Sequence, residues 1–176
     1  MSQQIVISGV GVWHPQESIS NHELVDSYNA YVDAFNDANK DKIESGEVVA
    51  KPYSSAEFIE KASGIKSRYI YKKEGALDIT RMKPKITPRS DDELSHQAEI
   101  AVEAAKLAMQ KANKTASDID AVIVSCAYTQ RAYPAIAIEV QEALNIEGFG
   151  FDMLVACSAA TFGMHRAYEM LAAGNA

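Results

Sequence analysis

Apolar and polar positions alternate along this chain in two rhythms, one close to every second residue and one close to every third or fourth. Residues 4–12, QIVISGVGV, are apolar and β-branched up to two glycines, which predicts an N-terminal strand with Gly9 and Gly11 serving a bend. Ser20 with Glu23 has the spacing of a capping box and opens a helix carrying Leu24, Val25 and Tyr28 on one side. Residues 36–53, rich in Asn, Asp, Lys and Gly, read as a loop or a helical excursion ended by Pro52. A second box, Ser54 with Glu57, starts a short helix that stops at Gly64, and GIKSRYIY beyond it reads as a strand or hairpin arm. Gly75, Pro84 and Pro88 make residues 74–89 an irregular arm.

The remaining chain is more regular. Ser90 with Glu93 is expected to cap a helix in which Leu94, Ala98, Ala101, Ala105 and Ala108 recur through Lys111, with short side chains that imply close packing. IDAVIVSCA then reads as a buried strand, YPAIAIEVQEALNI as a helix started by Pro134, GFGFDMLVA as a further strand, and 158–173 as a last helix. Strands alternating with helices predict an α/β layered domain with a largely parallel sheet. The last helix carries Phe162, Met164, Met170 and Leu171, so it needs a sheet on at least one side.

Composition adds exclusions. The start of the chain lacks a basic stretch ahead of an apolar run, and no window approaches the roughly 18 apolar residues of a membrane span, so a cytoplasmic protein is expected. A formal charge of -7 is unevenly spread: Lys61 to Arg89 hold nine basic residues against Glu74 and Asp78, leaving the rest strongly acidic. That balance argues against broad nucleic-acid binding, while the basic stretch suits a phosphorylated ligand, an acidic partner protein or a solvated face equally. Gly9 and Gly11 lack the third glycine of a dinucleotide fingerprint. Cys126 and Cys157 are too far apart for a CxxC pair, so reduced thiols and neither metal nor cofactor are expected.

Cys157 stands where the strand FDMLVA meets the first residue of a helix. Unpaired amides and the macrodipole at a helix head favour the thiolate, the form that attacks, and the same amides can hold an oxyanion. The strand-turn-helix presentation resembles a nucleophile elbow, and Ser158, Ala159, Ala160 and Gly163 add no bulk beside it. Cysteine is also among the most buried residue types, so position alone leaves core filling and nucleophile both open. Cys126 ends a strand with no helix start aimed at it and reads as a core thiol.

Residues 146–163, IEGFGFDMLVACSAATFG, resemble the nucleophile segment of the thiolase-like condensing enzymes, and more narrowly of the β-ketoacyl-acyl-carrier-protein synthase III family. ISGVGVWHPQESISNHEL resembles that family's opening, KASGIKSRYI its glycine-isoleucine-arginine segment and YPAIAIEVQEALNI its proline-led helix; the four matches are collinear over nearly the whole chain. The resemblance implies that 1–176 form the first half only of a thiolase-like layered fold, with an insertion at about 27–56, a basic arm at about 72–89 and a buried helix after the catalytic cysteine.

It further implies that Cys157 takes an acyl group from coenzyme A or carrier protein as a thioester and passes it to the carbanion made by decarboxylating malonyl-carrier protein, with its own N–H as one oxyanion donor. Tyr133 matches a residue that reaches across a homodimer into the partner's acyl pocket. Phe58 and Ala62 match a tryptophan and an arginine that grip the nucleotide end of coenzyme A; Phe58 can stack, Ala62 cannot pair a phosphate, and Arg68 joins Phe58 and Tyr133 as a substrate-binding residue. Acyl-carrier protein is the implied partner, with the basic arm as its landing surface. The family's second-step histidine and asparagine belong to the second half of the fold, and His14, His22, His96 and His165 do not match them. Thiolase, hydroxymethylglutaryl-coenzyme A synthase and plant-type polyketide synthase share the cysteine and the fold. A truncated subunit that heterodimerises, or a redox-sensitive thiol protein, would need no catalysis.

Overall fold

The structure, a computed structural model, describes residues 4–176 and divides into two compact units. One unit is His14–Pro88; the other joins the N-terminal residues up to Trp13 to Arg89–Ala176.

In the His14–Pro88 unit, β1 (Glu17–Ser20) pairs antiparallel with β2 (Ser67–Ile70), in the register Glu17 to Ile70 and Ser20 to Ser67. The polar stretch ESIS gives no apolar alternation from which β1 could be foreseen. Ser20 and Glu23 form the expected capping box at the head of α1 (Asn21–Ala38). This helix runs three residues into the stretch that reads as loop, and α2 (Lys40–Glu44) follows almost at once. Tertiary contacts hold that extension: Asn36 exchanges two amide hydrogen bonds with the backbone of Lys51, at 2.9 and 3.1 Å, and Asn29 does the same with Ser54. The Lys51 ammonium also lies 4.5 Å from the centre of the Phe35 ring. With Ser54 engaged by Asn29, Ser55 caps α3 (Ala56–Ser63), which ends at Gly64 in the left-handed conformation, φ 72°.

The arm after β2 is irregular, as expected, and much of its charge is consumed locally. Lys73 pairs with Glu23 and Lys85 with Glu74, and the Arg81 guanidinium donates to the Lys83 carbonyl.

In the other unit, β3 (Ala121–Cys126) and β4 (Phe149–Leu154) form a parallel pair in the register Ala121 to Phe149 and Cys126 to Leu154. The core is built where α4 (His96–Ala112) and α5 (Ile136–Leu144) meet this pair: Ala98, Val102, Ile136 and Val140 are buried against Leu94, Val122, Val124 and Leu144. Fully burying a side chain of the size of Ile136 contributes roughly 1.5–3 kcal/mol. Ser95, not Ser90, caps α4, because the buried Ser95 is held by Glu139 of α5; Ser90 and Glu93 do bond to each other, but in a turn ahead of the helix.

Residues 4–12 form no strand. They lie on α4, where a Cβ on Gly9 would stand 2.4 Å from the Ala108 carbonyl oxygen and one on Gly11 would stand 2.0 Å from that of Ala104. The two glycines therefore serve close backbone approach and not a bend. The last helix, α6 (Ala159–Ala172), sits on β3 through Gly163, where a Cβ would meet the Ser125 hydroxyl at 2.4 Å. Its burial is confined to the Ala159, Gly163 and Met170 stripe; Phe162, Met164, Tyr168 and Leu171 are exposed, Met164 and Leu171 lining a hollow of about 530 Å³.

Glu23 makes the first unit acid-sensitive. Its hydrogen bond from Lys73, then those from Ser20, hold its carboxyl at about 2 against an ordinary 4.5. A depressed folded value means stabilisation that is present above about pH 4.5 and lost as the pH falls toward 2. Denaturant unfolding across that range should find Glu23→Gln less stable than wild type at neutral pH, with the gap closing toward pH 2 and narrowing in high salt.

Candidate active site

The parallel register ends β3 and β4 level, Cys126 opposite Leu154, and beyond Leu154 the chain turns sharply. After Leu154 and Val155, Ala156 adopts φ 44°, in the left-handed region that a Cβ disfavours, and Ala156–Ser158 form a single 3₁₀ turn. The Ser158 N–H donates to the Val155 carbonyl at 3.0 Å and closes the turn. Cys157 lies in its middle and is exposed. This is the strand-turn-helix presentation expected, shifted by one detail: the turn precedes α6, and Cys157 stands just before the cap residue Ser158 and not at the first helical position.

The Ser158 side chain makes no capping bond, so the leading N–H groups of α6 are left to water or a ligand oxygen. Ser125, on β3, donates to the Ala159 carbonyl at 3.0 Å and fixes the helix start to the sheet. Cys157 itself is exposed and lies outside the hydrophobic core described above. Cys126, in contrast, packs against the core, and burial first, then the Asp152 carboxylate, push its thiol up from the ordinary value.

Tyr133 belongs to the same unit as Cys157 and is 86% exposed, in the loop between β3 and α5. Phe58 and Arg68 belong to the His14–Pro88 unit. The Phe58 ring is exposed and forms one wall of an open cavity of about 810 Å³ with Leu24, Tyr28, Pro52, Tyr53 and Ile59. Arg68 turns onto the first residue of α1: its Nη2 donates to Asn21 Oδ1 at 2.6 Å, and its Nη1 is buried without a hydrogen-bond partner. Asn21 in turn donates to the Ile65 carbonyl, which ties the glycine-isoleucine-arginine segment to α1.

The histidines are scattered. His14 stacks on Tyr69 at 3.9 Å, His22 is exposed, the His96 N–H donates to Gln130, and the exposed His165 lies 3.7 Å from Glu169. No cluster of three His, Cys, Asp or Glu with metal-site geometry occurs among the described residues, and no helix among them is long and apolar enough to cross a membrane.

Two acids that sequence reasoning passed over shape the site's surroundings. Asp152 accepts from the Ile136 and Ala137 N–H groups, and Glu139, 5% exposed, accepts from the Ser95 N–H and hydroxyl with Arg131 3.8 Å away. A signal was present: each is a lone charge inside an apolar run, FGFDMLV and AIAIEV.

No family model matches the chain. It is 53% identical over 152 residues to the β-ketodecanoyl-[acyl-carrier-protein] synthase of Pseudomonas aeruginosa, covering 86% of this chain and 43% of that protein. To the β-ketoacyl-[acyl-carrier-protein] synthase III of Granulibacter bethesdensis it is 26% identical over 172 residues, 97% of this chain and 40% of that one. The crystal structure of 3-oxoacyl-[acyl-carrier-protein] synthase III from Aquifex aeolicus superposes with a TM-score of 0.64 at 23% identity, over 96% of this chain and 40% of that one. The chain is thus similar to acyl-carrier-protein synthases and shares the α/β fold of the synthase III structure, and it spans less than half the length of the relatives it matches, consistent with their first half.

The strained residue ahead of the cysteine can be tested. Ala156→Gly removes the Cβ from the left-handed region and should raise stability by about 1 kcal/mol in denaturant unfolding, since the strain there is of order 1–2 kcal/mol against glycine's added unfolded-state entropy.

Proposed function

We propose that this chain carries the acyl-accepting cysteine of a fatty-acid condensing enzyme. The observation that carries the reading is the exposed Cys157 at a strained strand-to-helix turn, in a chain 53% identical to a named carrier-protein synthase. Cys157 Sγ attacks the carbonyl of an acyl thioester, the donor's carbon–sulfur bond breaks, and the donor thiol leaves with the proton given up by the cysteine. The Cys157 N–H steadies the oxyanion. In the second step the malonyl carboxyl leaves as carbon dioxide, the resulting carbanion attacks the acyl carbonyl, and the Cys157 thiolate is released along with a β-ketoacyl-carrier protein. The histidine and asparagine of that step come from the second half of the fold.

The relative's name, a β-ketodecanoyl product, points to octanoyl thioester as donor, because condensation adds two carbons. Phe58 and Tyr133 are the substrate-binding candidates on exposed surface, and Arg68 contributes through its buried Nη1. The enzyme works in the cytoplasm as a homodimer, with Tyr133 presented to the partner protomer. Carrier protein lands on the arm, where Lys72 and the exposed Lys83 serve better than Lys73, which is committed to Glu23.

Full-length protein incubated with radiolabelled octanoyl thioester should acquire label that is lost in Cys157→Ala; label surviving that substitution ends the reading. Reversing charge at Lys72 and Lys83 together should weaken carrier-protein binding by about tenfold or less, in line with exposed charges, and unchanged affinity removes the arm from the site.

A further inference from the structure

Cys157 sits in a short span of chain whose two ends are fastened to neighbouring points on one strand. At one end Leu154, the last residue of β4, pairs with Cys126, the last residue of β3. At the other end Ala159, the first residue of α6, offers its carbonyl to the hydroxyl of Ser125, one residue earlier on β3, at 3.0 Å. Adjacent residues of β3 thus hold both ends of the span 154–159. The hydroxyl reaches the helix because residue 163 is glycine: a Cβ there would stand 2.4 Å from Ser125 Oγ. Ala159 is itself buried, so packing reinforces the hydrogen bond.

Between these anchors the Ser158 N–H closes the turn on the Val155 carbonyl, and Ala156 is bent into the left-handed region at φ 44°. An alanine stays there only where its surroundings leave it no easier conformation. The Leu154 pairing on one side and the Ser125 bond on the other are those surroundings. The dihedrals of Ala156 also orient the peptide unit whose N–H belongs to Cys157. The bend that is held from β3 therefore aims the Cys157 amide and carries the sulfur with it.

Resting on the acyl-acceptor reading above, we infer that Ser125 is a positioning residue for Cys157: by holding the Ala159 carbonyl it keeps Ala156 in its left-handed bend, and so keeps the Cys157 N–H and Sγ set for the same acyl carbonyl. Attack needs the sulfur at the carbonyl carbon while a donor meets the oxygen. Both groups belong to one residue, so a small rotation of its peptide unit spoils their joint placement. Ser125 acts through the backbone and takes no proton. Without its hydroxyl the strained alanine is free to relax and the turn loses its setting. A glycine at 156 adopts the same bend without strain and depends less on the clamp. The two positions are therefore coupled in a defined sense: Ala156→Gly compensates Ser125→Ala.

The test uses the full-length protein as wild type, Ser125→Ala, Ala156→Gly, the Ser125→Ala/Ala156→Gly double variant, and the equally shaped pair Ser125→Thr and Ser125→Val. Single-turnover transfer from octanoyl thioester to Cys157 is followed by intact mass over a range of donor concentrations. Iodoacetamide alkylation, which needs the thiolate but no oxyanion donor, is measured across a pH series. Ser125→Ala should slow transfer at saturating donor by about tenfold, with the half-saturating concentration and the alkylation profile each changed by no more than about twofold. A loss of stability alone leaves the transfer rate of the folded enzyme where it was. The double variant should recover to within about threefold of Ala156→Gly, because two residues acting on one bend do not add. Ser125→Val should be as slow as Ser125→Ala, and Ser125→Thr, which keeps the donor, close to wild type. Wild-type transfer in Ser125→Ala, or a double variant no faster than Ser125→Ala, overturns the proposal. Should Ser125→Ala fail to fold, the Thr and Val pair decides: equal rates overturn it, and a slow Ser125→Val beside a normal Ser125→Thr upholds it. A wild type that takes no acyl group at all brings down the acyl-acceptor reading and this proposal together, whereas an acylated wild type with indifferent Ser125 variants removes this proposal alone.

Discussion

The backbone of Ile136 and Ala137 donates to a carboxylate that belongs to a neighbouring strand, and that cross-element cap organises the unit around it. A parallel pair brings the ends of β3 and β4 to one edge, where open α/β sheets place their ligands. The heads of α5 and α6 are held to this pair by single polar side chains, Asp152 for α5 and Ser125 for α6. Both lie in otherwise apolar strands, where a polar group is tolerated only when its bonds are made. The heads of both helices are therefore set by the strands and not by the loops that lead into them.

The second anchor is the Ser95, Glu139 and Arg131 group. Glu139 is buried and acidic, a costly arrangement unless its oxygens are occupied, and both are: Ser95 supplies two donors and the Arg131 guanidinium stands beside them. This is why α4 starts at its buried serine and not at the Ser90 box, which has equal local merit but whose Ser90 and Glu93 side chains bond to each other and not to α5. In the His14–Pro88 unit the same logic extends α1: Asn29 and Asn36, poor helix residues in isolation, each satisfy a returning backbone segment with two bonds.

The open stripe on α6 has a plain physical meaning. Phe162 and Tyr168 expose apolar surface, and the exposed Met164 lines a hollow with Ile123, Ala167 and Leu171, on a chain that matches less than half of each relative named above. A helix with one stripe on β3 and large apolar side chains on its other faces has the character of an inner layer.

Periodicity and local chemistry made much of this legible. β3, β4, α5 and α6 follow from apolar runs of the right length, and the Ser20–Glu23 box and the Gly64 stop act within a few residues of themselves. The cysteine at a strand-to-helix junction was visible for the same reason. What eluded the linear pattern depends on partners distant in sequence: β1 exists because β2 lies beside it, residues 4–12 lie on α4 without strand pairing, and the cap of α4 was chosen by an acid more than forty residues away. So were the roles of Asp152 and Glu139, whose charges are conspicuous in the sequence but whose partners are not. A hydrogen bond between neighbours is written into their spacing, whereas one between distant residues exists only once the chain has folded and buried the alternatives.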